Sequence, residues 1–237
     1  MSDQHRRWDE ADVIAQFAHK GVGDFFRSET HFLEKIAAGI ESVLDVGCAA
    51  GRFIELLRHY GVEPGFTGVD VSAASLARAR TAFPQVRFIE GDALDLALDA
   101  TFDLVNATGV CQHEPRFETL IRRMVDWSAR YVLFDVKLAA VDEHVIDIGR
   151  AYCGAPGSRL PYIVLAPRLF CDYLQSHSGI ARISIYGYET PLNARTVIPK
   201  GVSPIVSAGV LLEKGHGAAG LHLELPSALR HLVRAAN

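Results

Sequence analysis

Three acidic residues and one glycine-bearing turn carry the first chemical signal in this sequence. Asp45 stands two residues before Gly47, and the segment VLDVGCAAG runs from an apolar strand pattern into a turn that ends at Gly51. Glycines let a ligand approach the backbone closely, and the free amides at the start of a following helix bind anionic groups. Asp70 and Asp92 come at the ends of later strand patterns, where a carboxylate can accept hydrogen bonds from a ligand. The arrangement predicts a nucleotide-type binding corner.

Alternating strand and helix patterns place these residues in an α/β architecture. The strand patterns are Val43 to Val46, Phe66 to Val71, Val86 to Glu90, Phe102 to Asn106, Tyr131 to Val136, Ile180 to Tyr188 and Ile205 to Glu213. The helical patterns are Asp9 to Lys20, Glu29 to Ile40, Arg52 to Tyr60, Ser72 to about Phe83, and a helix that starts at Pro167 and stops by Gly179. We expect the last two strands to form a closing antiparallel pair.

The glycine spacing distinguishes two classes of cofactor. The dinucleotide fingerprint is GxGxxG, whereas this chain has GCAAG with an acid ahead of it. The order of the motif residues resembles that of class I S-adenosylmethionine-dependent methyltransferases: Asp45, Gly47, Gly51, Asp70, Gly91 and Asp92. Ala49 occupies the place of the family's middle glycine, and we expect a somewhat tighter turn there and not a lost site. The resemblance implies a Rossmann-like fold: a seven-stranded, mainly parallel sheet with an antiparallel last strand and helices on both faces.

The resemblance implies S-adenosyl-L-methionine as the cofactor and S-adenosyl-L-homocysteine as the product. It implies that Asp70 binds the ribose hydroxyls and that Asp92 receives the adenine amino group. Arg27 is a candidate for binding the cofactor carboxylate, the alternative being an ordinary surface arginine, and Asp45 could instead only fix the local backbone. The full predicted cofactor-binding set is Arg27, Asp45, Gly47, Cys48, Ala49, Gly51, Asp70, Val71, Asp92, Ala93, Asn106 and Ala107.

His113 is the predicted catalytic residue. It closes a segment, ATGVCQHEPRF, whose outline resembles a loop of many small-molecule methyltransferases. A neutral imidazole there could remove a hydroxyl or ammonium proton from an acceptor that attacks in line. The alternative is that His113 only caps or packs the loop, because alignment and desolvation can suffice for an acceptor that is already nucleophilic. Gln112 and Glu114 depart from the commoner residues of that outline, which leaves the acceptor and any metal use open.

The sequence divides into three segments. Residues 1–41 are predicted as N-terminal helices on the substrate side, residues 42–215 as the cofactor-binding core, and residues 216–237 as a tail with a short amphipathic helix. Within the core, an insertion of about residues 137–165 is longer than a plain connection and is expected to cover the pocket. The tail helix could dock on its own core or on a second copy in a homodimer.

Composition narrows the expected partners. A net charge of −4 over 237 residues provides no global basic field, so nucleic acid is not expected to bind. The sequence has no apolar run long enough to span a bilayer, and its polar start does not resemble a signal peptide, so we expect a cytoplasmic protein without a membrane partner. The four cysteines show no CxxC or zinc spacing, which predicts free thiols and no metal site.

The predicted function is transfer of a methyl group to an oxygen or nitrogen atom of a small polar organic acceptor by in-line displacement. Acceptor contacts are expected from aromatic and charged residues of the insertion and of the segment from Tyr188 to Pro204: Asp142, His144, Arg150, Tyr152, Tyr162, Tyr188, Glu189 and Arg195. Three alternatives stay open: a methyltransferase-like module that binds cofactor without turnover, an NAD(P)-dependent oxidoreductase, and a methyltransferase that acts on protein or RNA.

Overall fold

The structure is a computed structural model that describes residues 7–10, 14, 25–154 and 159–234. The chain forms two compact units. The first consists of Met1–Thr108 and Glu118–Arg130, and the second of Gly109–Phe117 and Tyr131–Asn237. The helix predicted from Asp9 to Lys20 lies largely outside the described residues, although Ile14 is helical.

The first unit contains a parallel sheet. Its strands are β1 (Ser42–Val46), β2 (Gly65–Asp70), β3 (Arg87–Glu90) and β4 (Phe102–Ala107). They lie in the order β4-β1-β2-β3, and each neighbouring pair is parallel. The carboxyl ends of parallel strands meet at one edge of a sheet, so the residues that follow these four strands are brought together.

Helices alternate with these strands, and the first three correspond to helices predicted from the sequence. They are α1 (Arg27–Ile36), α2 (Arg52–His59), α3 (Ala73–Ala82) and α4 (Phe117–Trp127). The apolar face of α2 buries Phe53, Leu56 and Leu57, which accounts for its spacing. The prediction that α1 continues to Ile40 was wrong, because the chain turns at Gly39, whose φ of +84° favours glycine.

The second unit contributes the closing strands of the fold. The remaining strands are β5 (Ser128–Leu138), β6 (Tyr152–Cys153), β7 (Leu160–Pro161), β8 (Ile180–Glu189), β9 (Thr196–Val197), β10 (Val206–Lys214) and β11 (Gly220–Glu224). β10 pairs antiparallel with both β5 and β8, as predicted for the closing pair. β11 adds a strand parallel to β8, so the main sheet of the described residues has eight strands instead of the predicted seven. The short segment GLHLE is half-exposed and gave little strand signal.

The insertion after β5 is built around a small sheet. β6 pairs antiparallel with β7 and with β9, so it joins the predicted insertion to the segment that follows Tyr188. An apolar cluster supports it: Ala139, Val145, Ala151, Val164, Val202 and Ile205. The helices α5 (Pro167–Gln175) and α6 (Ser227–Arg234) complete the unit, and Pro167 opens α5 as predicted. None of the helices in the described ranges is long and apolar enough to cross a membrane.

Candidate functional site

The glycine turn after β1 is held against the end of β2. The amides of Gly47 and Cys48 both donate to the Val69 carbonyl, at 2.8 and 3.1 Å. Gly47 has φ of +71° and Gly51 has φ of +88°, so both need the left-handed region. Ala49 also lies there, with φ of +46°. The alanine therefore adopts the backbone conformation that a glycine would take more easily.

Packing explains two further residues of the turn. A Cβ atom on Gly51 would lie 2.8 Å from the Phe83 ring, so only glycine fits. The thiol of Cys48 is buried in an apolar cluster that includes Phe83 and Phe88. Because this side chain faces the core, Cys48 can offer a ligand only its backbone.

Asp70 connects three of the predicted loops. Its Oδ2 accepts a hydrogen bond from the Ala49 amide and its Oδ1 one from the Ser72 amide, both at 2.8 Å. Its carbonyl accepts from the Gly91 amide at 2.9 Å. Burial raises the pKa of Asp70, and the amides of Ser72, Ala49 and Val71 oppose that rise by stabilising the carboxylate. The half-buried Val71 follows directly.

The loop after β3 is ordered by Asp92. Its Oδ1 accepts a hydrogen bond from the Leu94 amide at 2.8 Å, and its carbonyl accepts from the Leu96 amide at 2.9 Å. Ala93 between them is buried, at 8% exposure. The side chain of Asp92 itself remains half-buried, at the position predicted to meet adenine.

Asp45 and Asn106 form a buried pair at the ends of β1 and β4. The Asn106 amide donates to Asp45 Oδ1 at 2.7 Å, and Asp45 is only 3% exposed. Burial raises the pKa of Asp45 from 3.8 to about 7. The carboxyl thus orients Asn106, while the adjoining Ala107 is fully buried.

Sequence reasoning missed Glu29, which is fully buried at the first turn of α1. Its Oε2 accepts from the Phe26 amide and from Arg52 Nη1, each at 2.9 Å. Its Oε1 accepts from Arg52 Nη2 at 2.5 Å and from Thr108 Oγ1 at 2.6 Å. These four bonds use the full capacity of a carboxylate.

Arg52 is a cation that packing and hydrogen bonds hold in this region. The Arg52 guanidinium lies 5.3 and 5.5 Å from the ring centroids of Phe25 and Phe26, and it also forms a bidentate ion pair with Glu29. Arg27 is exposed at the start of α1. In the sequence, Glu29 stands out only as an acid in the first turn of a predicted helix. Its partner Arg52 lies 23 residues further along the chain, so no local pattern connects the two.

In the second unit, His113 ends a short 3-10 turn, Cys111–His113, and is buried at 9% exposure. Its Nδ1 lies 2.7 Å from the carbonyl oxygen of Pro161. A carbonyl only accepts, so Nδ1 carries the hydrogen and Nε2 the lone pair. Burial lowers the pKa of His113 from 6.5 to about 4, which keeps the ring neutral at pH 7.

A buried ion pair lies on β5 in the same unit. Lys137 Nζ donates to Asp135 Oδ2 and to Ser207 Oγ, both at 3.0 Å. The other carboxylate oxygen of Asp135 accepts the Gly109 amide at 2.5 Å. Both charges act on the pKa of His113, in opposite directions.

The predicted acceptor residues separate by exposure. The charged ones are exposed: Asp142, Arg150, Glu189 and Arg195. The aromatic ones are half-buried: His144, Tyr152, Tyr162 and Tyr188. The Gly154 amide donates to the Arg195 carbonyl at 3.2 Å, so the two predicted segments do meet.

The cysteines are free thiols, as predicted. Burial raises the pKa of Cys153 to about 11 and that of Cys171 to about 12. It also raises the pKa of Cys48 and Cys111 well above the usual value, so all four are protonated at neutral pH. Among the residues that the structure describes, no group of three or more His, Cys, Asp or Glu side chains could hold a metal ion.

Residues 43–130 match the family model described as a methyltransferase domain. The trans-aconitate 2-methyltransferase of Escherichia fergusonii is 35% identical over 86 residues, which are 36% of this chain and 34% of the relative. The same enzyme of Enterobacter sp. strain 638 is 33% identical over 100 residues, which are 42% of this chain and 40% of the relative. The matches therefore span between about a third and two fifths of the length of these curated relatives.

Solved structures share the fold over most of the chain. Magnesium protoporphyrin IX methyltransferase from Synechocystis PCC 6803 superposes with a TM-score of 0.57 at 14% identity, covering 91% of this chain and 99% of that one. An O-methyltransferase from a trans-AT PKS multienzyme of Brevibacillus brevis has a TM-score of 0.57 at 14% identity, with 78% of this chain and 70% of that chain covered. At such identities the likeness shows the fold alone. Residues 43–130 are thus similar to a methyltransferase domain, and the chain shares the fold of these solved methyltransferases.

Proposed function

We propose that this chain is an enzyme that uses S-adenosylmethionine to methylate an oxygen or nitrogen atom of a small polar organic acceptor. The meeting of three loops at Asp70 carries the proposal. The Ala49 amide donates to its carboxylate at 2.8 Å and the Gly91 amide to its carbonyl at 2.9 Å. The glycine turn, the acid at the end of β2 and the acidic loop after β3 thus lie together, which is the arrangement that the motifs of class I S-adenosylmethionine-dependent methyltransferases imply.

These residues fit S-adenosylmethionine. The amides of Ala49, Ser72 and Val71 donate to the Asp70 carboxylate, which has about four acceptor sites and so can also accept a ribose hydroxyl. Gly47 is exposed and has no side chain to block an approach to the backbone. We assign the loop at Asp92 to the adenine and the end of β4 at Asn106 to the methionine moiety. When bound, the cofactor supplies an electrophilic methyl group on a sulfonium.

We assign proton removal to His113. The Pro161 carbonyl fixes its tautomer, so the basic lone pair is on Nε2. With a pKa of about 4, His113 is neutral at pH 7 but weakly basic. It therefore takes the proton as the acceptor atom becomes acidic during attack, and not beforehand.

Three observations support a small polar acceptor. The net charge of −4 disfavours a nucleic-acid acceptor. The structured insertion offers half-buried aromatic side chains with charged groups at its surface. The curated relatives are named for trans-aconitate, which is a small polar acid.

The cofactor assignment is tested with a matched pair of aspartates. Asp103 also accepts two backbone amides, those of Glu41 and Ser42 at 2.9 and 3.1 Å, but at the start of β4. Each charged hydrogen bond is worth about 1.5–3 kcal/mol, so loss of two predicts roughly hundredfold or weaker binding of S-adenosylhomocysteine to Asp70→Ala. Asp103→Ala should bind like the wild type in calorimetric titrations.

Equal binding by both variants would remove Asp70 from the ribose role. Binding of NAD⁺ without S-adenosylhomocysteine would favour the oxidoreductase alternative. Incubation of a fractionated cell extract with radioactive methyl donor then tests turnover. Label in the small-molecule fraction is the expected result; label in protein or RNA only, or no label, would contradict the proposed acceptor class.

A further inference from the structure

Asp9 contacts the loop that follows the proposed ribose acid. It lies in a short 3-10 turn, Arg7–Asp9, within the same compact unit as Asp70. Asp9 Oδ1 accepts a hydrogen bond from Ser72 Oγ at 2.7 Å and one from the Ala74 amide at 3.3 Å. These partners lie 63 and 65 positions further along the chain, so the two bonds hold a distant segment against the start of α3.

Ser72 connects Asp9 to Asp70. Ser72 is only 2% exposed, its Oγ accepts from the Ser75 amide at 3.1 Å, and its own amide donates to Asp70 Oδ1 at 2.8 Å. A carboxylate only accepts, so the single hydroxyl hydrogen of Ser72 points to Asp9 and a lone pair remains for Ser75. Asp9 therefore orients the residue whose amide binds the ribose acid.

The Asp70 carboxylate is fixed from both sides. Its Oδ1 accepts the Ser72 amide and its Oδ2 accepts the Ala49 amide of the glycine turn, each at 2.8 Å. The direction of the remaining lone pairs depends on both donors staying in place. A binding group that is already oriented pays less entropy when its ligand binds, which raises affinity.

The charge of Asp9 has a separate effect from its hydrogen bonds. Burial is the main cause of the raised pKa of Asp70, and the negative charge of Asp9 adds to it. Two neighbouring carboxylates repel each other, so Asp9 stabilises this loop through its hydrogen bonds and not through its charge. An asparagine at this position would keep an acceptor oxygen without the charge, and it therefore separates the two effects.

We propose that Asp9 is a positioning residue for cofactor binding: through Ser72 it holds the Asp70 carboxylate in the orientation that accepts the ribose hydroxyls. This rests on the proposed function in that Asp70 binds the ribose. Asp9 precedes residues 43–130, the segment that matches the methyltransferase domain. It thus adds to the cofactor site a residue from outside the motif region.

Adenosine and 2′,3′-dideoxyadenosine are matched probes, because they differ only in the ribose hydroxyls at C2′ and C3′. Each is titrated into the wild type and into Asp9→Ala, while NMR follows the amides of Ser72 and Ala74. Asp9→Ala should weaken adenosine binding about three- to tenfold, the worth of one hydrogen bond, and should leave dideoxyadenosine binding unchanged. Equal weakening of both ligands would mean a general structural role and overturn the proposal, as would no weakening of either.

Three further variants localise the effect. Glu10→Ala removes the same charge from the next residue, so it is the control and should bind both probes like the wild type. Asp9→Asn keeps an acceptor oxygen and should recover most of the adenosine affinity. In a Ser72→Ala background, Asp9→Ala should have little further effect, because the two residues act in series. Losses that simply add would overturn the proposed route through Ser72.

Hydrogen exchange of the Ala74 amide gives a second readout. If Asp9 strengthens cofactor binding, the cofactor must strengthen the Asp9 contacts by the same factor. Saturating S-adenosylhomocysteine should therefore slow exchange of this amide in the wild type and not in Asp9→Ala. Equal slowing in the two proteins would overturn the proposal.

The same samples separate this inference from the proposed function. Failure of S-adenosylhomocysteine to bind the wild type would contradict the proposed function. Binding that weakens in Asp70→Ala and stays unchanged in Asp9→Ala would keep the proposed function and overturn the role of Asp9.

Discussion

Replacing Glu29 by alanine should strongly destabilise the first unit, because this buried carboxylate joins three parts of the chain. It accepts the Phe26 amide at the start of α1, two nitrogens of Arg52 at the start of α2, and the hydroxyl of Thr108 just beyond β4. Glu29→Ala removes all four bonds at once, including both bonds from the Arg52 guanidinium.

The expected cost follows from burial. Removing one partner of a buried ion pair costs about 3–5 kcal/mol. Arg52 keeps 19% exposure of its side chain, so water can recover part of the loss and the lower end applies. The lost bond to the Phe26 amide adds about 1 kcal/mol, which gives roughly 4 kcal/mol in total. For a domain of this size that corresponds to a Tm lower by about 8–16 °C.

Urea and thermal unfolding followed by circular dichroism measure this cost. Glu63→Ala is the control, because Glu63 is 79% exposed and lies 3.6 Å from Arg58; such a surface pair is worth about 0–1 kcal/mol. Glu29→Gln keeps the size and one acceptor oxygen, so its loss should be intermediate. If Glu29→Ala were within about 1 kcal/mol of Glu63→Ala, the reasoning from a buried, saturated carboxylate would be refuted.

Two further predictions concern pH. Because the pKa of Asp45 is raised from 3.8 to about 7, the folded chain keeps a proton there that the unfolded chain releases. The free energy of unfolding should therefore fall as pH rises between these values, and Asp45→Asn should flatten the slope in urea titrations; an unchanged slope contradicts this. For His113, whose pKa is about 4, kcat at pH 6.5 should equal kcat at pH 7.5, because the ring is neutral at both. His113→Ala should lower kcat while S-adenosylhomocysteine binding is preserved. Full activity of that variant would show that His113 only packs the loop.

Local patterns were sufficient for the strands and their ends. β1, β2 and β4 read as apolar runs, and the strand-end residues Asp70 and Asp92 were predicted from their positions alone. Parallel pairing then brings such residues to one edge of a sheet whatever the intervening sequence is. The antiparallel closing pair was also predicted, because each strand is a long apolar run between turns.

Local sequence patterns could not predict contacts between distant residues or which buried polar atoms lack a hydrogen-bond partner. Glu29 and Arg52 are 23 residues apart and carry no shared motif. Gln112 was noted only as a departure from a familiar outline, and its buried Oε1 has no hydrogen-bond partner among the described residues, which a sequence does not show. β11 is a half-exposed strand of five residues, too short for its alternation to distinguish it from a loop.

The charges around the glycine turn bear on the choice of ligand. Besides burial, Glu29 and Asp70 raise the pKa of Asp45, and Arg52 opposes them by lowering it. Glu29 is paired with Arg52. The Asp70 carboxylate and the partly protonated Asp45 therefore leave no net positive charge to hold the two negative charges of a dinucleotide pyrophosphate. S-adenosylmethionine brings a sulfonium and an ammonium group with a single carboxylate, so it adds positive charge where acids predominate. The electrostatics therefore support the same ligand as the glycine spacing, and by a separate physical route.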